Sequence, residues 1–143
     1  MAGKIFKIII VDDDADDHYL IKDAIKQLNY PFEIIALYNG LELLEYFEAH
    51  AKQGTREIID FIIMDINMPT MNGIVSLSKI KMDKRLSNIP VFMLSTTHED
   101  KAFAECMKLG SIHFYTKPNN SNDLKKILSE IFERVNELSK KIS

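Results

Sequence analysis

The sequence predicts an α/β domain in which a parallel β-sheet is covered by helices on both faces. Two observations support this prediction: five short apolar runs rich in β-branched residues, and apolar residues at helical spacing between consecutive runs. Strands that alternate with helices form a parallel sheet, because each helix brings the next strand alongside the previous one. The chain has 143 residues, which is long enough for one such domain with a buried core.

The first half of the chain alternates apolar runs with segments of helical spacing. In order, it predicts a strand Ile5–Val11, a helix Asp16–Leu28, a strand Glu33–Tyr38, a helix from Asn39 to about Ala51, and a strand Ile58–Met64. The first and third strands are continuously apolar, which is typical of strands buried on both faces. Pro31 follows the end of the first helix, and Asn39 with Glu42 forms a plausible cap for the second.

The second half continues the same alternation. It predicts a helix from Ile74 to about Met82, a strand Pro90–Leu94, a helix His98–Leu109, a strand Ile112–Thr116, and a helix from Asn120 or Ser121 that can reach the C-terminus. Pro69 and Asn72-Gly73 favour turns in the loop before the first of these helices. Gly110 is suited to the C′ position that ends the second.

The last helix carries an apolar stripe that is longer than a small sheet needs. The stripe consists of Leu124, Leu128, Ile131, Val135, Leu138 and Ile142. Such a stripe packs on a sheet or forms a coiled-coil seam. We expect core packing for its first half, while a partner or a second copy in a homodimer remains open for its second half. The predicted single domain therefore spans residues 1–143, with a core of about 4–134 and a helix extension of about 135–143.

Composition and charge argue against several classes of protein. The net charge is −3, and no basic stripe suggests a nucleic-acid partner. The single cysteine, Cys106, cannot form an internal disulfide and lies in a helical apolar pattern, so we interpret it as a buried structural residue. The N-terminal apolar run is too short for a signal peptide or a membrane span. We expect a cytoplasmic protein without membrane contact.

Polar side chains that can do chemistry follow four of the predicted strands. They are Asp12 and Asp13 after the first strand, Asp65 after the third, Ser95 after the fourth and Lys117 after the fifth. The carboxyl ends of parallel strands share one edge of a sheet, where ligands bind in such folds. Clustered carboxylates repel one another unless a cation is present, and Mg²⁺ prefers oxygen ligands. A carboxylate can also accept a phosphoryl group, with a metal and a lysine stabilising the transferred charge.

Four segments carry a resemblance to a known family: IIIVDDD, FIIMDINMPTMNG, IPVFMLST and FYTKP, in this order along the chain. With them, nearly the whole chain resembles the receiver domain of bacterial two-component response regulators, most closely the single-domain chemotaxis type. The resemblance implies a flavodoxin-like (βα)5 fold with strand order 2-1-3-4-5. It also implies a cis bond between Lys117 and Pro118, which X–Pro bonds allow.

The resemblance implies a role for each matching residue at the phosphoryl-acceptor site. Asp65 is similar to the phosphoacceptor, which also binds the metal. Asp13 matches the acid that binds the metal directly, and Asp12 matches its neighbour, which acts through water. Asn67, two residues after Asp65, matches the position whose backbone carbonyl completes the metal site. The implied ion is Mg²⁺, with Mn²⁺ as an alternative.

Three further positions match residues that respond to the phosphoryl group. Ser95 matches the hydroxyl that hydrogen-bonds it, and Lys117 matches the lysine that pairs with it. Phe114 falls on the aromatic switch position, which acts together with Ser95. Ser95 stands where threonine is commoner, Thr96 is larger than the usual residue, and the loop of residues 52–57 is longer than in most receivers.

The family also implies the partners and the mode of action. A sensor histidine kinase or a histidine phosphotransfer protein would donate the phosphoryl group. Because the chain ends soon after the fifth helix, we expect a stand-alone receiver whose output is binding to an unknown downstream protein or passing the group onward. We expect no enzyme in the usual sense, only self-catalysed phosphorylation and dephosphorylation.

Two other functions remain as alternatives. A phosphohydrolase of the haloacid-dehalogenase type also uses an aspartate after its first strand, and Asp12 to Asp14 contains Asp-x-Asp, although Asp16 stands where Thr or Val is expected. A receiver-shaped binding module that is never phosphorylated is the second alternative. Asp14, Asp16 and Asp17 are interpreted as acids of a helix start, where negative charge is favoured.

Overall fold

The computed structural model describes residues 4–54 and 58–142 of the protein. Within them, five strands form one parallel sheet in the order β2-β1-β3-β4-β5. The strands are β1 (Phe6–Val11), β2 (Phe32–Leu37), β3 (Phe61–Met64), β4 (Val91–Ser95) and β5 (His113–Thr116). The helices are α1 (Ala15–Lys26), α2 (Gly40–Lys52), α3 (Gly73–Met82), α4 (Asp100–Leu109) and α5 (Ser121–Ile142). The flavodoxin-like (βα)5 fold and the strand order 2-1-3-4-5 are thus confirmed.

The ten predicted elements are all present, and their ends lie within three residues of the predicted ones. The largest difference is at β3, which begins at Phe61 instead of Ile58. Its pairing with β1 starts where Phe61 lies opposite Ile8, and Ile58 is 77% exposed. The expectation of a long loop at residues 52–57 falls partly outside the described residues, because Lys52 still belongs to α2 and residues 55–57 are not described.

The sheet has a separate core on each face, as its apolar strands predict. Alternate residues of β1 point to opposite faces, so Ile9 packs in one core and Ile8 in the other. Helices α2, α3 and α4 cover the face of Ile9, while α1 and α5 cover the face of Ile8. Cys106 of α4 is fully buried in the first core, which confirms its predicted structural place.

An aromatic cluster anchors α5 to the sheet. The ring of Phe132 stacks on Tyr30 at 4.1 Å between centroids and meets Phe6 and Phe61 edge-on at 5.0 and 5.3 Å. Leu124, Leu128 and Ile131 are buried in the same core, so the first half of the α5 stripe is core, as predicted. Val135, at the start of the predicted extension, is also buried, at 4% exposure.

The peptide bond before Pro118 differs from the expected geometry. None of the described peptide bonds is cis, so the Lys117–Pro118 bond is trans and the cis prediction is wrong for this structure. Trans is favoured for X–Pro bonds by about 0.5–1 kcal/mol. The Lys117 N–H donates to the Ser95 carbonyl oxygen at 2.8 Å, so the end of β5 stays paired with β4.

The described part of the chain also bears on membrane association. No helix in the ranges 4–54 and 58–142 combines the length and the apolar character that crossing a membrane requires.

Candidate functional site

Three of the predicted acids meet at the carboxyl edge of the sheet. Asp12 follows β1 and Asp65 follows β3, and both are buried, at 2% and 6% exposure. The Asp65 N–H donates to the Val11 carbonyl oxygen at 3.0 Å, which joins the two strand ends. One carboxylate oxygen from each of Asp12, Asp13 and Asp65 lies within 4.8 Å of the others. Asp13 is exposed, so the group is open to solvent on one side.

Lys117 reaches this edge from the end of β5 and contacts three carboxylates. Its Nζ lies 2.7 Å from Asp17 Oδ2, 2.9 Å from Asp12 Oδ2 and 3.0 Å from Asp65 Oδ2. Burial lowers the pKa of the Lys117 ammonium, but the hydrogen bonds to Asp17, Asp12 and Asp65 outweigh burial and raise it. The ammonium therefore stays charged at neutral pH.

The acids at this edge outnumber the cations. Asp12, Asp13, Asp17 and Asp65 lie around Lys117, the one cation that forms ion pairs with them in the described part of the chain. Burial raises the pKa of the Asp12 carboxyl, and hydrogen bonds from Lys117 and from the Asp14 N–H offset this only partly. A further cation would relieve the excess negative charge.

The donor set suits a hard divalent cation. Carboxylate oxygens are ligands of Mg²⁺ and Mn²⁺, and the three members of the acid group are all carboxylates. Asp12 and Asp13 after β1 and Asp65 after β3 would supply protein ligands, and the exposed side would leave room for water. Asn67 lies two residues after Asp65 in the same loop, and its side chain is exposed.

Close backbone packing fixes the position of Asp65. Its Oδ1 accepts a hydrogen bond from the Ile66 N–H at 2.7 Å, while Oδ2 faces Lys117. The Gly73 N–H at the start of α3 donates to the Ile66 carbonyl oxygen at 2.9 Å. A Cβ at Gly73 would come within 2.0 Å of the Asp65 carbonyl oxygen. Only glycine allows α3 to start this close to the end of β3.

Ser95 and the loop after it lie beside this edge. Ser95 is the last residue of β4 and is fully buried, and its Oγ accepts a hydrogen bond from the Thr97 N–H at 3.4 Å. The Thr97 hydroxyl in turn accepts a hydrogen bond from the Asn67 side-chain amide at 3.2 Å. The loops after β3 and β4 are thus linked across the edge that carries Asp65.

Phe114, the predicted aromatic switch residue, lies in β5 and is 7% exposed. It packs in the core under α4, where its ring is 5.8 Å from Phe103. The ring already points inward in this structure, so an inward movement has little distance left to cover.

Two contributors were not found from the sequence. Asp17 lies in the first turn of α1, as a helix-start acid should, but it also contacts Lys117. Asp14 behaves as predicted and caps α1 by accepting from the Asp16 N–H.

His18 is buried, with Nε2 at 2.8 Å from the Asp12 carbonyl oxygen and 3.1 Å from that of Leu37. Carbonyls only accept, so Nε2 carries the proton and ties α1 to the ends of β1 and β2.

Comparison with known proteins agrees with this arrangement. A model of the family described as the response regulator receiver domain matches residues 8–129. The chain belongs to this family. The receiver is 30% identical over 137 residues to the chemotaxis protein CheY of Pseudomonas aeruginosa. The aligned region covers 91% of this chain and 98% of CheY. It is also 28% identical to the two-component response regulator-like APRR3 of Arabidopsis thaliana over 90% of this chain, but spans only 24% of that relative's length.

Solved structures give the same answer for the fold. The phosphorylated cyanobacterial phytochrome response regulator RcpA matches the receiver with a TM-score of 0.81 and 29% identity, over 91% of this chain and 93% of RcpA. The Mn²⁺-bound form of response regulator Rcp1 matches with a TM-score of 0.78 and 27% identity, over 88% of this chain and 91% of Rcp1. The family places the receiver in two-component signalling and not among the phosphohydrolases.

Proposed function

We propose that this receiver accepts a phosphoryl group on Asp65 and signals by changing which proteins it binds. The observation that supports the proposal most directly is the contact of Lys117 with the buried Asp65 carboxylate, 3.0 Å away, beside two further acids that could hold a cation. This arrangement supplies a nucleophile, fixed positive charge and metal ligands at one edge of the sheet. Phosphoryl transfer needs these three components and little else.

The chemistry proposed for Asp65 is an in-line displacement. A carboxylate oxygen of Asp65 forms a bond to phosphorus while the bond from phosphorus to the donor's leaving atom breaks, and the electron pair stays with the donor. Lys117 donates hydrogen bonds to the transferred oxygens, and the Ile66 N–H keeps Asp65 oriented. The product is an acyl phosphate on Asp65.

The proposed cofactor is Mg²⁺, with Mn²⁺ as a substitute. When bound, the ion would neutralise charge on the acids and on the phosphoryl oxygens. Asp13 and Asp65 would bind it directly, Asp12 through water, and Asn67 through its backbone carbonyl. The Mn²⁺-bound structure of Rcp1 supports the choice of a divalent ion.

The proposed partners follow from the family. The donor is a sensor histidine kinase or a histidine phosphotransfer protein in the cytoplasm. The output is a downstream protein that distinguishes the two states of the receiver, as a shift in populations. We propose that Ser95 is drawn toward the phosphoryl group and that Phe114 is held more firmly inward. A homodimer through the end of α5 is a further possibility for the output.

We also propose that the chain acts as a single receiver unit, with a core of about residues 4–134 and an extension of about 135–143. The single sheet of the described residues supports one unit, and the burial of Val135 shows that the core reaches at least the first residue of the extension.

The experiment that tests the proposal is phosphorylation by acetyl phosphate with Mg²⁺, measured by intact mass. Wild type and the Asp65→Asn variant are compared with Asp23→Asn, which changes an exposed acid of α1 whose side chain accepts a hydrogen bond from Gln27. We expect wild type and Asp23→Asn to gain the mass of one phosphoryl group. Asp65→Asn should gain none, and EDTA should abolish the gain of wild type and of Asp23→Asn.

Other outcomes would contradict the proposal. If folded wild type gains no mass with Mg²⁺ or Mn²⁺ present, the receiver is a binding module that is not phosphorylated. If Asp65→Asn gains mass as fast as wild type, another residue is the acceptor. If EDTA has no effect, the transfer does not depend on a metal.

A further inference from the structure

Asp17 is the carboxylate closest to the Lys117 ammonium, although its position in the sequence marks it only as a helix-start acid. Its Oδ2 lies 2.7 Å from Lys117 Nζ, compared with 2.9 Å for Asp12 and 3.0 Å for Asp65. The side chains are 27% exposed for Asp17 and 14% exposed for Lys117, so the contact is partly shielded from water. Solvent therefore screens this ion pair less than one on the open surface.

The three contacts of Lys117 differ in what else the carboxylates do. An ammonium has three N–H donors, and Asp12, Asp17 and Asp65 occupy all three. Asp12 and Asp65 also belong to the acid group that could hold a metal, and Asp65 is the proposed acceptor. Asp17 does not belong to that group. Among the described residues, the polar contact of the Asp17 carboxylate is to Lys117, whereas Asp12 and Asp65 also accept from backbone N–H groups.

We propose that Asp17 is a positioning residue that holds the Lys117 ammonium beside Asp65 so that it can donate to the incoming phosphoryl group. The inference rests on the proposed phosphorylation of Asp65. A lysine side chain has a flexible four-carbon stem, and it must be ordered to donate at one place. Asp17 supplies that order from the first turn of α1, through its ion pair with the ammonium.

Asp17 can also stabilise α1 itself, independently of its contact with Lys117. An acid in the first turn of a helix stabilises the helix by its interaction with the dipole, whatever else it contacts. Asp16 lies in the same turn of α1, is exposed, and has its backbone N–H bonded to Asp14. Asp16→Ala therefore removes the same charge from the same turn without touching Lys117, and it is the matched control.

The test measures the first-order rate of phosphorylation at saturating acetyl phosphate and Mg²⁺. We expect Asp17→Ala to slow it about tenfold, the loss typical when a group that orients an active-site residue is removed. Asp17→Asn keeps an acceptor for Lys117 but not the charge, and should fall between Asp17→Ala and wild type. Asp16→Ala should stay within about twofold of wild type. Thermal unfolding of each variant reports whether it is folded.

A double-mutant comparison shows whether Asp17 acts through Lys117. In a Lys117→Gln background, Asp17→Ala should change the rate by less than about twofold, because the group that it positions is gone. An equal loss in both backgrounds would overturn the proposal, since Asp17 would then act on the fold or on another residue. A rate for Asp17→Ala equal to that of Asp16→Ala would also overturn it.

A direct observation of the ammonium separates this inference from the proposed function. Nitrogen-15 NMR of the lysine side chains should show a slowly exchanging Lys117 ammonium in wild type and Asp16→Ala, and lose it in Asp17→Ala. This result does not require phosphorylation. If wild type is never phosphorylated, the proposed function fails, and the ammonium signal still decides whether Asp17 orders Lys117. An unchanged signal in Asp17→Ala would overturn the inference by itself.

Discussion

The charge and position of the Lys117 ammonium depend on side chains that are far from it in sequence. Its three carboxylate partners come from the end of β1, the first turn of α1 and the end of β3. The raised pKa of Lys117 means that the folded state binds its proton more tightly than the unfolded state does. Its stabilising contribution is therefore complete at neutral pH and is lost only as the pH rises through the alkaline folded-state pKa.

Replacing Lys117 by Met tests this dependence. Met keeps much of the side-chain length but removes the charge, which leaves Asp12 and Asp65 buried without a counter-ion. We expect the free energy of unfolding at neutral pH to fall by about 2–4 kcal/mol without a divalent cation. Urea unfolding with and without Mg²⁺ measures the loss, and Mg²⁺ should restore part of it. The exposed Lys22→Met is the matched control and should be near neutral; an equal effect in both would contradict the interpretation.

The location of a side chain could be predicted from the sequence where one strand end decides it, but not where two elements have to meet. Asp12, Asp13, Asp65, Ser95 and Lys117 follow strands directly, so the topology alone brings them to one edge. Asp17 was identified as a helix-start acid, which it is, but its contact with Lys117 depends on how α1 rotates against β5. A single sequence carries no signal for that rotation. The same holds for His18, whose bonds to two strand ends need the packed structure.

The start of helix α3 determines the position of Asp65. The helix begins at Gly73, whose backbone lies against the Asp65 and Ile66 carbonyl groups. Asn72 caps it by accepting from the Val75 N–H at 3.0 Å. The sequence predicted a turn here from Asn72-Gly73, but not the contact that makes glycine necessary, since that contact exists only once β3 and α3 are packed.

Gly73→Ala should therefore affect the site as well as the stability. The new Cβ meets backbone atoms that cannot rotate away, so α3 or the end of β3 must shift. We expect the free energy of unfolding to fall by about 1–3 kcal/mol, as in other overpacked positions, together with slower phosphorylation of Asp65. Urea unfolding and the acetyl phosphate assay measure the two effects. Ser78→Ala in the same helix should change neither, and a fully active Gly73→Ala would show that the close approach is not needed.

The ends of elements were the least predictable part of the fold. β3 is shorter than its apolar run because a strand ends where its neighbour stops pairing, and β1 begins to pair with it only at Ile8. The periodicity of apolar residues identifies a strand or helix, whereas pairing with neighbouring elements decides at which residue it begins and ends.

The whole molecule carries excess negative charge at one edge of its sheet, and this links cation binding to stability. Acids that repel one another in the folded state are farther apart in the unfolded chain. A cation that binds the folded state alone stabilises it, by about 2.7 kcal/mol at a concentration 100 times its dissociation constant. The receiver should therefore be more stable with Mg²⁺ than without it.

Thermal unfolding tests this link. We expect the Tm to rise with Mg²⁺ concentration in wild type, and not with NaCl at the same ionic strength. Asp13→Asn removes an exposed acid from the group, so it should raise the Tm without Mg²⁺ and reduce the shift that Mg²⁺ causes. A shift of the same size in Asp13→Asn and wild type would place the cation elsewhere.

The long sequence separations at Lys117 also have a consequence for the order in which the chain folds. Lys117 is 52 residues from Asp65 and 100 residues from Asp17. We expect such contacts to form late in folding, because the chain must first close long loops at a cost in entropy. Until β5 docks, the acids of β1 and β3 approach one another without their ammonium. Docking of the last strand then supplies the missing charge, so the ion pairs of Lys117 favour completion of the sheet at the step that also completes the site.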